Sequence, residues 1–163
     1  MVPALIRLGM VLISGGSLIF LPKKSFYKYL PVTIFTSVLV LIVCALSIPY
    51  KFWVVKGNKT TKVLNDLAYV FGSFFAVTLW IFHFTYGKFK QFVGVNLLLD
   101  FLLAYPLNYV FQKLKVYKLV NFKSKHIFLT YFSFSFIIYG FQLLLEKCVP
   151  YFKRWFFIRR QGW

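Results

Sequence analysis

Apolar runs of about 18 to 20 residues recur along this chain, each divided from the next by a lysine-bearing polar segment. A helix of that length crosses the ~30 Å of hydrocarbon in a bilayer. No water-soluble fold of 163 residues has interior enough for four such runs. The runs lack the polar–apolar alternation of barrel strands, and backbone groups in lipid must be satisfied within the segment, so helix is the expected state. The predicted fold is all-α, a polytopic transmembrane bundle of 4 to 5 helices with spans at 2–21, 29–48, 67–84, 92–111 and 127–145. These form one transmembrane domain over residues 1–148, followed by a basic aromatic tail at 149–163 expected to rest on the headgroups.

Composition agrees. Hydrophobic residues make up 60% of the chain and charged residues 14%, against roughly 25% charged in soluble domains. Net charge is +17, from 20 Lys and Arg against only Asp66, Asp100 and Glu146. So basic a chain invites a nucleic-acid reading, but the positives sit in every loop and form no single patch. Attraction to anionic lipid headgroups accounts for them, at about 1 kcal/mol per basic residue near the surface. The expected partners are the bilayer and its anionic lipids, with no nucleic acid. Lysine outnumbers arginine 16 to 4 and phenylalanine reaches 22, a bias of A/T-rich coding that points to a low-G+C bacterium and its plasma membrane.

Details of the spans refine the picture. Arg7 in the first run can snorkel to the interface. A cleaved signal peptide is the competing reading, but Pro22-Lys23-Lys24 stands where a small-residue cleavage site belongs, so an uncleaved span is expected. Pro31 lies near the expected start of the second span, where proline is tolerated. Trp53, Trp80 and Trp155 fall at or near span ends, as interfacial anchors do. Ser14-Gly15-Gly16-Ser17 would permit close helix packing. The loops 49–62 and 112–126 share one side of the membrane, loops 22–28 and 85–91 and the tail the other, with about equal basic charge. The two longer loops are the more lysine-dense internal connections and are expected to be cytoplasmic.

Asp100 is the residue that stands out. A carboxylate in mid-span costs at least ~2.5 kcal/mol on insertion scales, and Asp100 has no basic residue at its depth. Asn96 lies one turn earlier on the same face, with Asn108 roughly 80° round. Ser135, Tyr139, Gln142 and Glu146 form a matching stripe on the last span. Running the two helices antiparallel brings Asp100 level with Tyr139 to within about one turn, Asn96 with Gln142, and Asn108 with Thr130. A polar seam built on Asp100–Tyr139 and Asn96–Gln142 is therefore predicted. Its bland use is to hold the bundle together, at ~0.6 kcal/mol per interhelical bond. Its sharper use is as a proton site on a path for an ion or small solute.

Other chemistries are not supported. Three or four ligands make a metal site, and His83, His126, Cys44 and Cys148 divide two and two between the membrane faces. No cofactor or metal is expected. The same division sets Cys44 and Cys148 too far apart for a disulfide. Asn58-Lys59-Thr60 matches a glycosylation acceptor, which a bacterial cell would leave idle. No nucleophile triad, phosphate loop or zinc-protease motif is present, so an enzyme, such as a lipid-modifying one, is disfavoured.

The stretches Pro22-Lys-Lys-Ser-Phe-Tyr-Lys-Tyr-Leu-Pro31 and Asp100-Phe-Leu-Leu-Ala-Tyr-Pro-Leu-Asn108 resemble small, lysine-rich, multi-spanning membrane proteins of Bacillus-type bacteria. The resemblance extends over most of the chain as a pattern of spans. It implies a multi-pass plasma-membrane protein and carries over no functional residue. The expected function is that of a non-enzymatic structural or accessory membrane protein, working alone or with another membrane protein. The alternative is a small proton-linked carrier or channel subunit using Asp100.

Overall fold

Polar residues beside an apolar run are drawn into the helix when they can cap it or reach the interface, so the rods are longer than the greasy runs that nucleate them. The computed structural model describes residues 5–55 and 58–148 in full, and the helical backbone alone at 2–4 and 149–160. Four helical rods are long and apolar enough to cross a membrane: Lys23–Leu46, Lys59–Thr85, Phe89–Lys113 and Ser124–Cys148. The expected span 2–21 is α1 (Val2–Ile19), whose described part, Leu5–Ile19, is shorter than the other four. The basic aromatic tail at 149–163, with Trp155, lies outside the residues described in full.

The second rod is α2 (Lys23–Leu46), with Pro22 at its N-terminal boundary and Pro31 inside it. Pro31 is thus not a helix start as expected. The buried hydroxyls that follow it are satisfied within the helix: Thr33 Oγ1 donates to Tyr29 O at 2.8 Å, Thr36 Oγ1 to Val32 O at 2.8 Å and Ser37 Oγ to Thr33 O at 2.9 Å.

The third rod joins α3 (Lys59–Ala68), a π-helical segment Tyr69–Phe74 and α4 (Phe75–Thr85). It starts eight residues before the expected Leu67. Asn58 is the reason: its side chain accepts from Thr61 N at 2.9 Å and from Thr61 Oγ1 at 2.8 Å, capping the helix. The Asn58-Lys59-Thr60 tripeptide is a cap in this fold. Asp66, expected just ahead of the span, is consequently inside a helix and buried.

The fourth rod joins α5 (Phe89–Leu102), a second π-helical segment Leu103–Leu107 and α6 (Asn108–Lys113). Pro106 lies in that segment, where a wider turn relieves the clash of its ring with the preceding turn. The last rod is α7 (Ser124–Arg160).

The four spanning rods form a closed ring: α2 against α4, α4 against α5, α5 against α7, and α7 back on α2. Helix α1 lies outside the ring on the third rod, where no residue of its described part is buried. Its close approach is made at Gly72, where a Cβ would meet Val11 Cα at 3.4 Å. Around Gly15 and Gly16, the expected contact, the space is open.

The two ends of the ring differ. At one end the connections are short, residues 20–22 and 86–88. At the other, the two long loops meet: β1 (Trp53–Val54) pairs antiparallel with β2 (Lys118–Leu119), with Trp53 opposite Leu119. Asn121 Nδ2 donates to Tyr50 O at 2.9 Å, and the rings of Phe52 and Phe122 stack at 4.7 Å. Both long loops therefore lie on one side, as the count of spans requires.

Candidate intramembrane site

The third and fourth rods touch through α4 and α5, near the short-loop end, where the rings of Phe82 and Phe92 stand 5.1 Å apart. Beyond that contact they part. The π segment of the third rod packs on α1 and α2, and that of the fourth on α7. The space left between them is a cavity of about 220 Å³, with Phe82, Phe92 and Ile138 closing its short-loop side.

The cavity is mostly apolar, with a few polar groups. Asn96 and Asp100 reach it from α5, Ser135 from α7, Ser73 and Thr78 from the third rod, and Thr36 from α2. Asp100 is 8% exposed. Its carboxyl meets the Ser135 hydroxyl, and its Oδ2 is buried with no hydrogen-bond partner. Buried carboxylate oxygens are nearly always satisfied, which makes this one notable.

The predicted seam residues fall into four places. Asn96 and Asp100 share the cavity. Tyr139 is buried among aromatic rings, 4.8 Å from Phe92, 5.0 Å from Phe89 and 6.0 Å from Tyr86. Gln142 is buried at the short-loop end, beside Glu146. There the Glu146 carboxylate is 2.9 Å from the Lys28 ammonium, which also stands 4.7 Å over the Tyr86 ring. Asn108 is at the paired-loop end. Its Nδ2 donates to Ser124 Oγ at 2.9 Å and Ala104 O at 3.2 Å, while its Oδ1 accepts from Tyr117 OH at 2.9 Å and Gln112 Nε2 at 3.3 Å.

The expected pairs are therefore replaced. Asp100 meets Ser135, one turn along α7 from Tyr139, because the Tyr139 ring is taken up by Phe89 and Phe92. Asn96 donates to Phe92 O of its own helix at 2.8 Å, not to Gln142. Asn108 bonds Ser124 where Thr130 was expected at its level. Ser135 too bonds within its helix, to Tyr131 O at 3.2 Å. What was expected to stitch two helices together is mostly satisfied inside each helix; among the described residues two buried side-chain oxygens are left without a partner, Asp100 Oδ2 on the cavity and Gln142 Oε1 at the short-loop end.

A second, smaller cavity of about 70 Å³ lies under the β1–β2 cap. It contains Asp66, 8% exposed, whose Oδ1 accepts from Trp53 Nε1 at 3.1 Å. Met10, Tyr69, Leu103, Phe111 and Tyr131 line both cavities, and the Tyr69 and Tyr131 hydroxyls face one another at the partition. Sequence reasoning missed Asp66 and Tyr69. The helix-cap signature at Asn58 was the signal that would have moved Asp66 into a spanning rod, whereas Tyr69 already lay in the expected span 67–84.

Just outside the spans, the Tyr117 hydroxyl is pushed up to about 12 by burial. Tyr86 is raised too, by burial and by its bond to Glu146. Cys44 and Cys148 are both free thiols. Among the described residues no three of His, Cys, Asp and Glu gather into a metal site.

Compared with known proteins, the chain matches no family model, no curated protein and no solved structure.

Proposed function

We propose that this multi-pass membrane protein is a small proton-linked carrier, with the cavity between the third, fourth and last rods as its binding chamber and Asp100 as its titrating group. The observation that carries this reading is the buried, unpartnered Oδ2 of Asp100 on a cavity of about 220 Å³. An ionisable side chain at membrane depth is expensive to insert and marks a pathway more often than a scaffold. A carboxyl kept for holding helices together would be fully bonded; this one is not. The paired-loop end faces the cytoplasm of a bacterium, and the lysines of both ends hold anionic lipid. The chain does no covalent chemistry of its own.

The competing role is structural or accessory, alone or beside another membrane protein. Purified protein in liposomes with an internal pH dye separates the two. The carrier reading expects solute-dependent proton movement that Asp100→Asn abolishes while the variant still inserts and elutes as the parent does. Proton movement unchanged in that variant, or absent from the parent with every solute class tried, gives the accessory role the field.

A further inference from the structure

The cavity that holds Asp100 has a mouth, and the mouth faces hydrocarbon. Val77 on the third rod and Leu102 and Leu107 on the fourth line it and are also exposed, at 44%, 39% and 43%. All three lie well inside the spanning rods Lys59–Thr85 and Phe89–Lys113. A molecule arriving there comes from among the acyl chains, not from bulk water.

Charge inside the chamber is one-sided. Among the described residues no Lys, Arg or His lines it, and the groups that share it with Asp100 are hydroxyls and an amide: Ser135 and Tyr131 from α7, Tyr69, Ser73 and Thr78 from the third rod, Thr36 from α2 and Asn96 from α5. An unpaired carboxylate oxygen accepts hydrogen bonds and attracts a cation. With no cation in the walls, the cation must come with the ligand. Size narrows the class further. A cavity of roughly 150 Å³ encloses a benzene molecule, so about 220 Å³ fits one ring with a short substituent.

Building on the carrier reading, we infer that the chamber takes up a monocationic lipophilic amine from the bilayer, its ammonium on Asp100 and its apolar body toward Val77 and Leu102. Uptake is an exchange. The ammonium replaces the proton on the carboxyl, so one cation docks and one proton leaves to solution, with no net change of charge in the site. Amine binding therefore weakens as pH falls.

Calorimetry on the full chain in detergent, with phenethylamine, phenethyl alcohol and ethylbenzene as probes, tests this. Phenethylamine should bind about tenfold more tightly than ethylbenzene, release a proton, and lose that advantage at low pH. Asp100→Asn should bring the three probes together. Leu102→Trp, which obstructs the mouth and leaves the carboxyl alone, should weaken all three in a protein with parental helicity. Equal affinity for the three probes, or a preference for the amine that survives Asp100→Asn, overturns the inference. Amine binding without amine-driven proton flux in liposomes supports it while removing the carrier reading. Proton flux driven by some other solute, with no preference for the amine, does the reverse.

Discussion

The half of the bundle next to the short loops and the half beneath the paired loops are built from the same helices but solved differently. Near the short loops, Tyr29, Phe82, Phe92 and Tyr139 are buried in one aromatic core, with ring centroids 4.8–5.6 Å apart. Beneath the paired loops, both π segments stand apart, two cavities open, and buried carboxyls line them. The first half spends its sequence on contact. The second keeps space and polar groups that contact would have eliminated. Stability and chemistry thus occupy opposite ends of the bundle, and α4 and α5, clamped by Phe82 and Phe92, are the fixed edge from which the third and fourth rods diverge.

Changes in the two halves should therefore have effects of different kinds. Phe92→Ala should be the most damaging of those considered, at about 3–5 kcal/mol of unfolding free energy, the usual cost of deleting a fully buried phenylalanine. Steric-trapping or mixed-micelle unfolding would measure it. Phe111→Ala, at a ring only half-buried where Phe92 is fully buried, should cost less by the same assay, and a loss as large as that of Phe92→Ala would erase the contrast. In the paired-loop half, Trp53→Phe removes the indole donor from buried Asp66 Oδ1 and should cost about 1–3 kcal/mol. Tyr117→Phe loses one hydrogen bond to Asn108, at about 1 kcal/mol.

Tyr117 also carries a pH signature. Its hydroxyl ionises near 10 in the unfolded chain and at about 12 in the folded one. The unfolded state releases its proton first, so this contribution is whole below pH 10 and is lost as pH rises toward 12. Alkaline unfolding followed by tyrosine absorbance should show a decline in that window that Tyr117→Phe flattens. A variant as alkali-sensitive as the parent would mean that another group carries the decline.

The spanning rods were legible because hydropathy over about 20 residues is a strong signal that survives errors at the ends. Their boundaries were less so. Lys59 to Asp66 reads as loop on hydropathy, and only the Asn58 cap reveals the helix. The cost of inserting Asp100 singled it out, and the structure buries it on a cavity. Its neighbour could not be read, because depth arithmetic places a residue only to within a turn, and the rings of Phe89 and Phe92 decided which side chain took which level. The cavity itself was invisible for a related reason. It arises from where two π segments lean, Leu103–Leu107 around Pro106 and Tyr69–Phe74 beside α1, and packing geometry of that kind has no linear pattern.

At the centre of this account is a carboxyl that weakens the bundle it sits in. Asp100→Leu exchanges an unsatisfied buried polar group for an apolar one of similar size, and unfolding in mixed micelles reads the result directly. The variant should be more stable by about 1–3 kcal/mol while it loses proton movement in liposomes. A variant less stable than the parent would mean that Asp100 holds the helices together.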